Sequence, residues 1–155
     1  MENNFLYNFE DRLNQLLERD GTHEKDVERK ALFYIIAGNS DLYKKVEHIY
    51  DFRDHSIKTE CLGYTEEELE ENREMGEPWM NRCSYCELPL EEGEYHMCSH
   101  CESIPDFCSS SRKLIKLAFN LYNGYSADVL DTFNVLDNDN FNLAINALRI
   151  RFNRG

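Results

Sequence analysis

Two C-x-x-C pairs, Cys83-Ser84-Tyr85-Cys86 and Cys98-Ser99-His100-Cys101, stand eleven residues apart in the middle of the chain. A two-residue spacer lets both thiolates of a tight turn face one ion. Two such turns complete a tetrahedron of Zn–S bonds about 2.3 Å long. Leu88-Pro89-Leu90 and the turn Glu91-Glu92-Gly93-Glu94 suit a short hairpin between the halves. The spacing therefore predicts one structural zinc ion on Cys83, Cys86, Cys98 and Cys101, with the surrounding chain folded as a zinc ribbon or knuckle. Four thiolates leave no open coordination position, so such a metal contributes to folding and activates no water. His96 and His100 are expected to be exposed or to sit behind the ligands. Cys61 and Cys108, which flank the stretch, are expected to be small hydrophobes.

Charge divides the chain in the same place. Residues 60–106 hold 14 acids against Arg73 and Arg82, which accounts for most of the net charge of −13. Residues 1–59 are close to balanced and residues 107–155 are slightly basic. A four-thiolate zinc site adds a formal charge of about −2 to the acidic stretch. Ribbons that read nucleic acid do so with Lys and Arg against phosphate, so direct nucleic-acid binding is not expected. Glu67, Glu70, Glu71 and Glu74 form a dense patch that suits a basic protein partner, or that imitates nucleic acid in such a partner's groove. As a solvated helix the same patch keeps the chain soluble. Trp79, the one tryptophan, follows it and reads as a core anchor or as an exposed partner contact.

The rest reads as helix. Leu6, Phe9, Leu13, Leu16 and Leu17 recur at three- and four-residue steps, and a second helix follows Thr22 or His23 with Val27, Ala31, Tyr34 and Ile35 inward. Gly38-Asn39 predicts a left-handed stop, and Ser40 a cap for a third helix through Leu42, Val46, Ile49 and Tyr50. Thr65 and Glu68 form a capping box for a short acidic helix. Ser109–Ser111 precede an apolar helix through Leu114, Ile115, Leu117, Ala118 and Leu121 that Asn123-Gly124 ends. Another helix is expected from Ser126, and a last one with Phe141, Ile145, Leu148 and Phe152 on one face. The expected fold is mainly α: about six helices from residues 1–59 and 107–155 form a core, and residues 60–106 are an acidic zinc-binding insertion.

No catalytic motif stands out. Asp137-Asn138-Asp139 begins like a calcium loop, but the sixth position is Asn142 and the twelfth Leu148. His23 with Glu24 and Asp26, and His48 with Asp51, read as helix-surface groups. No apolar run approaches the roughly 20 residues of a membrane span. The start, Met1-Glu2-Asn3-Asn4, has no basic region ahead of an apolar one, so a cytoplasmic location is expected.

In Glu18-Arg19-Asp20-Gly21-Thr22-His23, in Ala31-Leu32-Phe33-Tyr34-Ile35-Ile36-Ala37-Gly38-Asn39 and in Leu117-Ala118-Phe119-Asn120-Leu121-Tyr122-Asn123-Gly124, the chain resembles an uncharacterised family of small helical proteins from Gram-positive bacteria and their mobile elements. The resemblance covers the two end portions and not residues 64–106, which it implies are an insertion. It implies no catalytic residue, and it favours a role in regulating or inhibiting a host system. The reading is thus a non-enzymatic binding protein. An acidic inhibitor imitating nucleic acid is one alternative, and an enzyme with a pocket between helices is another.

Overall fold

The computed structural model describes residues 2–154, with side chains from residue 8 onward. Leu6 of the first expected stripe lies outside the described side chains. Eight α-helices and one two-stranded hairpin occur among the described residues, so the fold is mainly α. Contacts divide it into two compact units, Met1–Ile57 with Phe107–Gly155, and Lys58–Asp106. No described helix is long and apolar enough to cross a membrane.

The first unit is built around α2 (Val27–Gly38), which packs against α1 (Glu2–Asp20), α6 (Ser109–Asn123) and α8 (Asn138–Arg151). Ala31, Leu32, Phe33, Ile35, Ile36 and Ala37 are all buried, so α2 is covered on nearly every side. A helix that is apolar nearly all round is stable only at the centre of a core. α6 supplies the largest opposing face, through Leu114, Ile115, Leu117, Ala118, Phe119 and Leu121.

Several expected ends move. Asp26, not Thr22 or His23, caps α2, its carboxylate accepting from Arg29 N at 2.9 Å. Asn39 is extended rather than left-handed, and it both closes α2 and caps α3 (Ser40–Lys44), its Oδ1 accepting from the amides of Asp41 and Leu42. Ser40 is therefore not the cap, because Asn39 satisfies both free amides first. The third helix also stops early. After Lys44 comes a 3-10 turn, Val46–His48, and then the antiparallel pair β1 (Tyr50–Asp51) and β2 (Ser56–Ile57). Val46, Ile49 and Tyr50 are buried all the same, so a helical spacing survives in chain that is not helical. α6 begins at Ser109 with no side-chain cap, and Gly124, left-handed at φ 83°, ends it as expected. α7 (Val129–Asn134) starts at the Asp128 cap rather than at Ser126.

The last helix turns a different face inward. Leu143, Ala144 and Ala147 are buried, whereas Phe141 and Phe152 are exposed. The cause lies at Gly38, where a Cβ would run into the side chain of Leu143. There the Leu143 side chain is seated against Gly38, and Phe141 instead meets Phe133 edge to face at 5.4 Å.

One charge is buried in this unit. The Asp20 side chain has no exposure, and the hydroxyls of Thr22 and Tyr50 donate to it at 2.6 and 2.7 Å. His55 Nδ1 lies 2.7 Å from its Oδ1 and Arg29 Nη1 3.6 Å from its Oδ2. The network ties the end of α1 to α2 and to the hairpin, where His55 takes a left-handed turn position at φ 55°.

Candidate metal centre

In the Lys58–Asp106 unit, α4 (Glu66–Glu74) opens on Thr65, whose hydroxyl accepts from Glu68 N at 3.2 Å and reaches the Glu68 carboxylate at 3.1 Å. No residue of α4 is buried. Polar contacts hold it to the cysteine loop. Asn72 Nδ2 donates to the Cys86 carbonyl at 2.7 Å. The Arg82 guanidinium donates to the carbonyls of Asn72, Met75 and Glu77 at the end of α4, and to that of Glu87 in the loop. One cation thus serves the negative end of a helix and a tight turn together. Arg82, next to Cys83 in the chain, is occupied by backbone carbonyls.

Cys83 and Cys86 sit on a turn closed by Cys83 N to Leu88 O at 2.9 Å and by Leu90 N to Asn81 O at 2.8 Å. Glu87 takes the left-handed position at its end, φ 62°. Cys98 caps the short helix α5 (Ser99–Ser103), which carries Cys101. The two halves meet where Ser84 N donates to His96 O at 2.6 Å. All four Sγ atoms then lie within 4.8 Å of one another. Cys86 Sγ and Cys98 Sγ are 3.8 Å apart. A tetrahedron with bonds of about 2.3 Å has edges of about 3.8 Å, and a disulfide would bring the sulfurs to about 2.0 Å. None of the four is in a disulfide; Cys83, Cys86 and Cys101 are buried and Cys98 half-buried. The set could hold a metal ion, and neither His96 nor His100 belongs to it.

The surroundings suit charged sulfur. The amides of Tyr85 and Cys98 donate to Cys83 Sγ at 3.4 and 3.3 Å, and the amide of Cys101 to Cys98 Sγ at 3.4 Å. Burial pushes the Cys83 thiol up, but backbone donors from Cys86, Cys98 and Tyr85 outweigh it and bring the thiol down to about 6. Burial raises Cys86 and Cys101, the latter further through its neighbouring thiols. Tyr64, Tyr85, Leu88, Leu90 and Met97 close over the sulfurs.

The remaining candidates spread out. Glu67, Glu70, Glu71 and Glu74 are exposed along α4. Trp79 is 78% exposed and anchors no core, which removes the first of its two expected roles. His96 and His100 are exposed. Cys61 is buried, as expected of a small hydrophobe; Cys108 is exposed and does not behave as one. The hydroxyls of Ser110 and Ser111, with the Ser111 amide, hold its thiol down at about 7. His23 Nδ1 accepts from Lys25 N, a surface turn contact. His100 Nε2 lies 3.7 Å from a Glu60 carboxylate oxygen at the surface, whereas His55 meets the buried carboxylate of Asp20. No motif marked that pair, because 35 residues separate its members.

No curated protein and no solved structure matches the chain. A family of unknown function, DUF6075, matches residues 2–71 and 96–155. The match reaches further inward than the resemblance did, taking in α4 as far as Glu71 together with Cys98 and Cys101. It leaves out 72–95, the stretch with Cys83 and Cys86. With most of its length matched, the chain belongs to this family of unknown function, DUF6075.

Proposed function

We propose that the four cysteines bind one structural zinc ion and that the unit folded around it is a docking module for a protein partner in a reducing, cytoplasmic setting. The observation that carries the reading is the exposure of Trp79 and Tyr95, 78% and 82%, in a unit whose metal-binding set is closed. Large aromatic side chains left in water on a small acidic unit suit a partner contact better than they suit a free surface. Around Trp79 the sequence supplies Glu67, Glu70, Glu71 and Glu74, so a basic partner is favoured. In a mobile-element setting that partner would belong to a host system. Two measurements test the proposal. Metal analysis should find about one zinc per chain, lost from Cys83→Ser with Cys98→Ser. Trp79→Ala with charge reversal at Glu67, Glu70 and Glu71 should release whatever co-purifies with the native protein; retention of that partner refutes the docking role.

An enzymatic reading is favoured by one contact. A buried carboxylate that holds His55 Nδ1 leaves Nε2 as the ring atom able to take a proton. Under that reading Asp20→Asn and His55→Gln abolish turnover of p-nitrophenyl esters without loss of helicity. A parent protein inert towards such esters sinks it.

A further inference from the structure

Most cations of this acidic chain are spoken for. Arg19, Arg29, Lys45, Arg73, Lys113 and Arg151 pair with carboxylates. Arg82 and Arg112 donate to backbone carbonyls, and Arg12 to Ser40. Lys25, Arg149 and Arg154, like Lys44, Arg53 and Lys58, show no side-chain partner among the described residues, but these first three line one open groove of about 800 Å³ in the first unit. Lys30 joins them, its ammonium donating to the Glu24 carbonyl. Glu24 is the one acid in the lining. What sets these apart is their convergence: bringing four cations to one place costs mutual repulsion, in a chain where acids outnumber bases 30 to 17.

The floor beneath them is apolar. Leu13 and Leu17 come from one face of α1, Val27 from the start of α2 and Ile150 from α8, each half-buried. An apolar strip with a basic rim selects an occupant with the inverse pattern. The chain's own acidic helix does not have it, because α4 carries Leu69 as its one apolar residue. Nucleic acid would match the cations but leave the leucines uncovered. A lone acyl chain would need enclosure, which an open groove does not give.

We infer that this groove is a second docking site, which takes an acidic amphipathic helix from a protein partner, its apolar side on Leu13, Leu17 and Ile150 and its carboxylates against Lys25, Arg149 and Arg154. It lies outside the metal-binding unit and does not depend on what Trp79 meets.

The test uses the full-length zinc-loaded protein and a fluorescein-labelled dodecapeptide with Leu at every third and fourth position and Glu elsewhere. Saturable anisotropy binding at micromolar peptide is expected. It should weaken about tenfold in Lys25→Glu with Arg149→Glu, both surface changes, and about tenfold again when the peptide's leucines become serine. Leu17→Ser should weaken it independently of charge. No saturable binding, equal binding by dodecaglutamate, or binding unmoved by the charge reversal overturns the proposal. So does displacement of the peptide by decanoate or by a DNA oligonucleotide, or a concentration-dependent dimer in sedimentation that the same charge reversal abolishes.

Discussion

Asp20 sets the energetic terms at the scale of one residue. Burial alone would raise its pKa, but hydrogen bonds from Thr22, His55 and Tyr50, with Arg29 nearby, hold it below the ordinary value. The sign follows directly. A depressed folded-state pKa gives stabilisation that is complete above the unfolded value of about 3.9 and fades as pH falls through the folded one. The stability gap between the wild type and Asp20→Asn, measured by urea unfolding, should therefore stay flat from about pH 6 to 8 and close below about pH 4. Asp20→Ala strands two hydroxyls and a guanidinium and should cost about 3 kcal/mol at neutral pH. Little of this was legible in the chain. No spacing marks Asp20, because Tyr50 and His55 reach it from the hairpin and Arg29 from α2. The cysteines were legible because their ligand geometry is local, two residues within each turn. Trp79 was not, since a single aromatic carries no periodicity to say which way it faces.

Elements show where pattern and packing part. The α2–α8 contact is set by Gly38, so Gly38→Ala should destabilise by about 1–3 kcal/mol, the range for forcing atoms into a filled core. Leu143→Ala in the same chain should recover part of that loss, a non-additivity that thermal unfolding of the four variants would read. The sequence pointed instead to Phe141 and Phe152 as the buried side of α8. Size was the misleading cue: α8 turns Leu143, Ala144 and Ala147 inward and leaves its two phenyl rings exposed. Val46, Ile49 and Tyr50 misled otherwise, since a buried stripe at helical steps is equally met by a 3-10 turn leading into a strand. The Thr65–Glu68 capping box was the dependable mark, whereas the Asp26 and Asp128 caps were not read from the chain. For α4, which buries nothing, the Arg82 guanidinium is the main tether. Arg82→Ala should speed amide exchange across residues 66–74 at least tenfold while leaving α2 protected; equal protection in both proteins would show that the tether is dispensable.

At the scale of the molecule, the two units rest on different physics. Residues 1–57 and 107–155 bury a helix on nearly every side, whereas the buried cluster of residues 58–106 is made of Cys83, Cys86 and Cys101 themselves. Chelation at neutral pH should thus erase dispersed amide NMR signals from 58–106 and leave those of α2 and α6 in place, with zinc restoring the spectrum. A loss that spreads through both sets would mean that one cooperative transition covers the whole chain.

The order of synthesis gives the discontinuous unit a schedule. α2 emerges from the ribosome early, but α6 and α8, which cover it, are encoded after residue 106. At roughly 5–20 residues per second the intervening stretch takes about 2–10 s to translate. Throughout that time Leu32, Phe33, Ile35 and Ile36 wait without their main partners. The Lys58–Asp106 unit, unbroken in sequence, has all four of its clustered cysteines once Cys101 has emerged. A nascent chain can therefore settle its middle before its ends, and the seconds of delay are when α2 is open to chaperones and to aggregation.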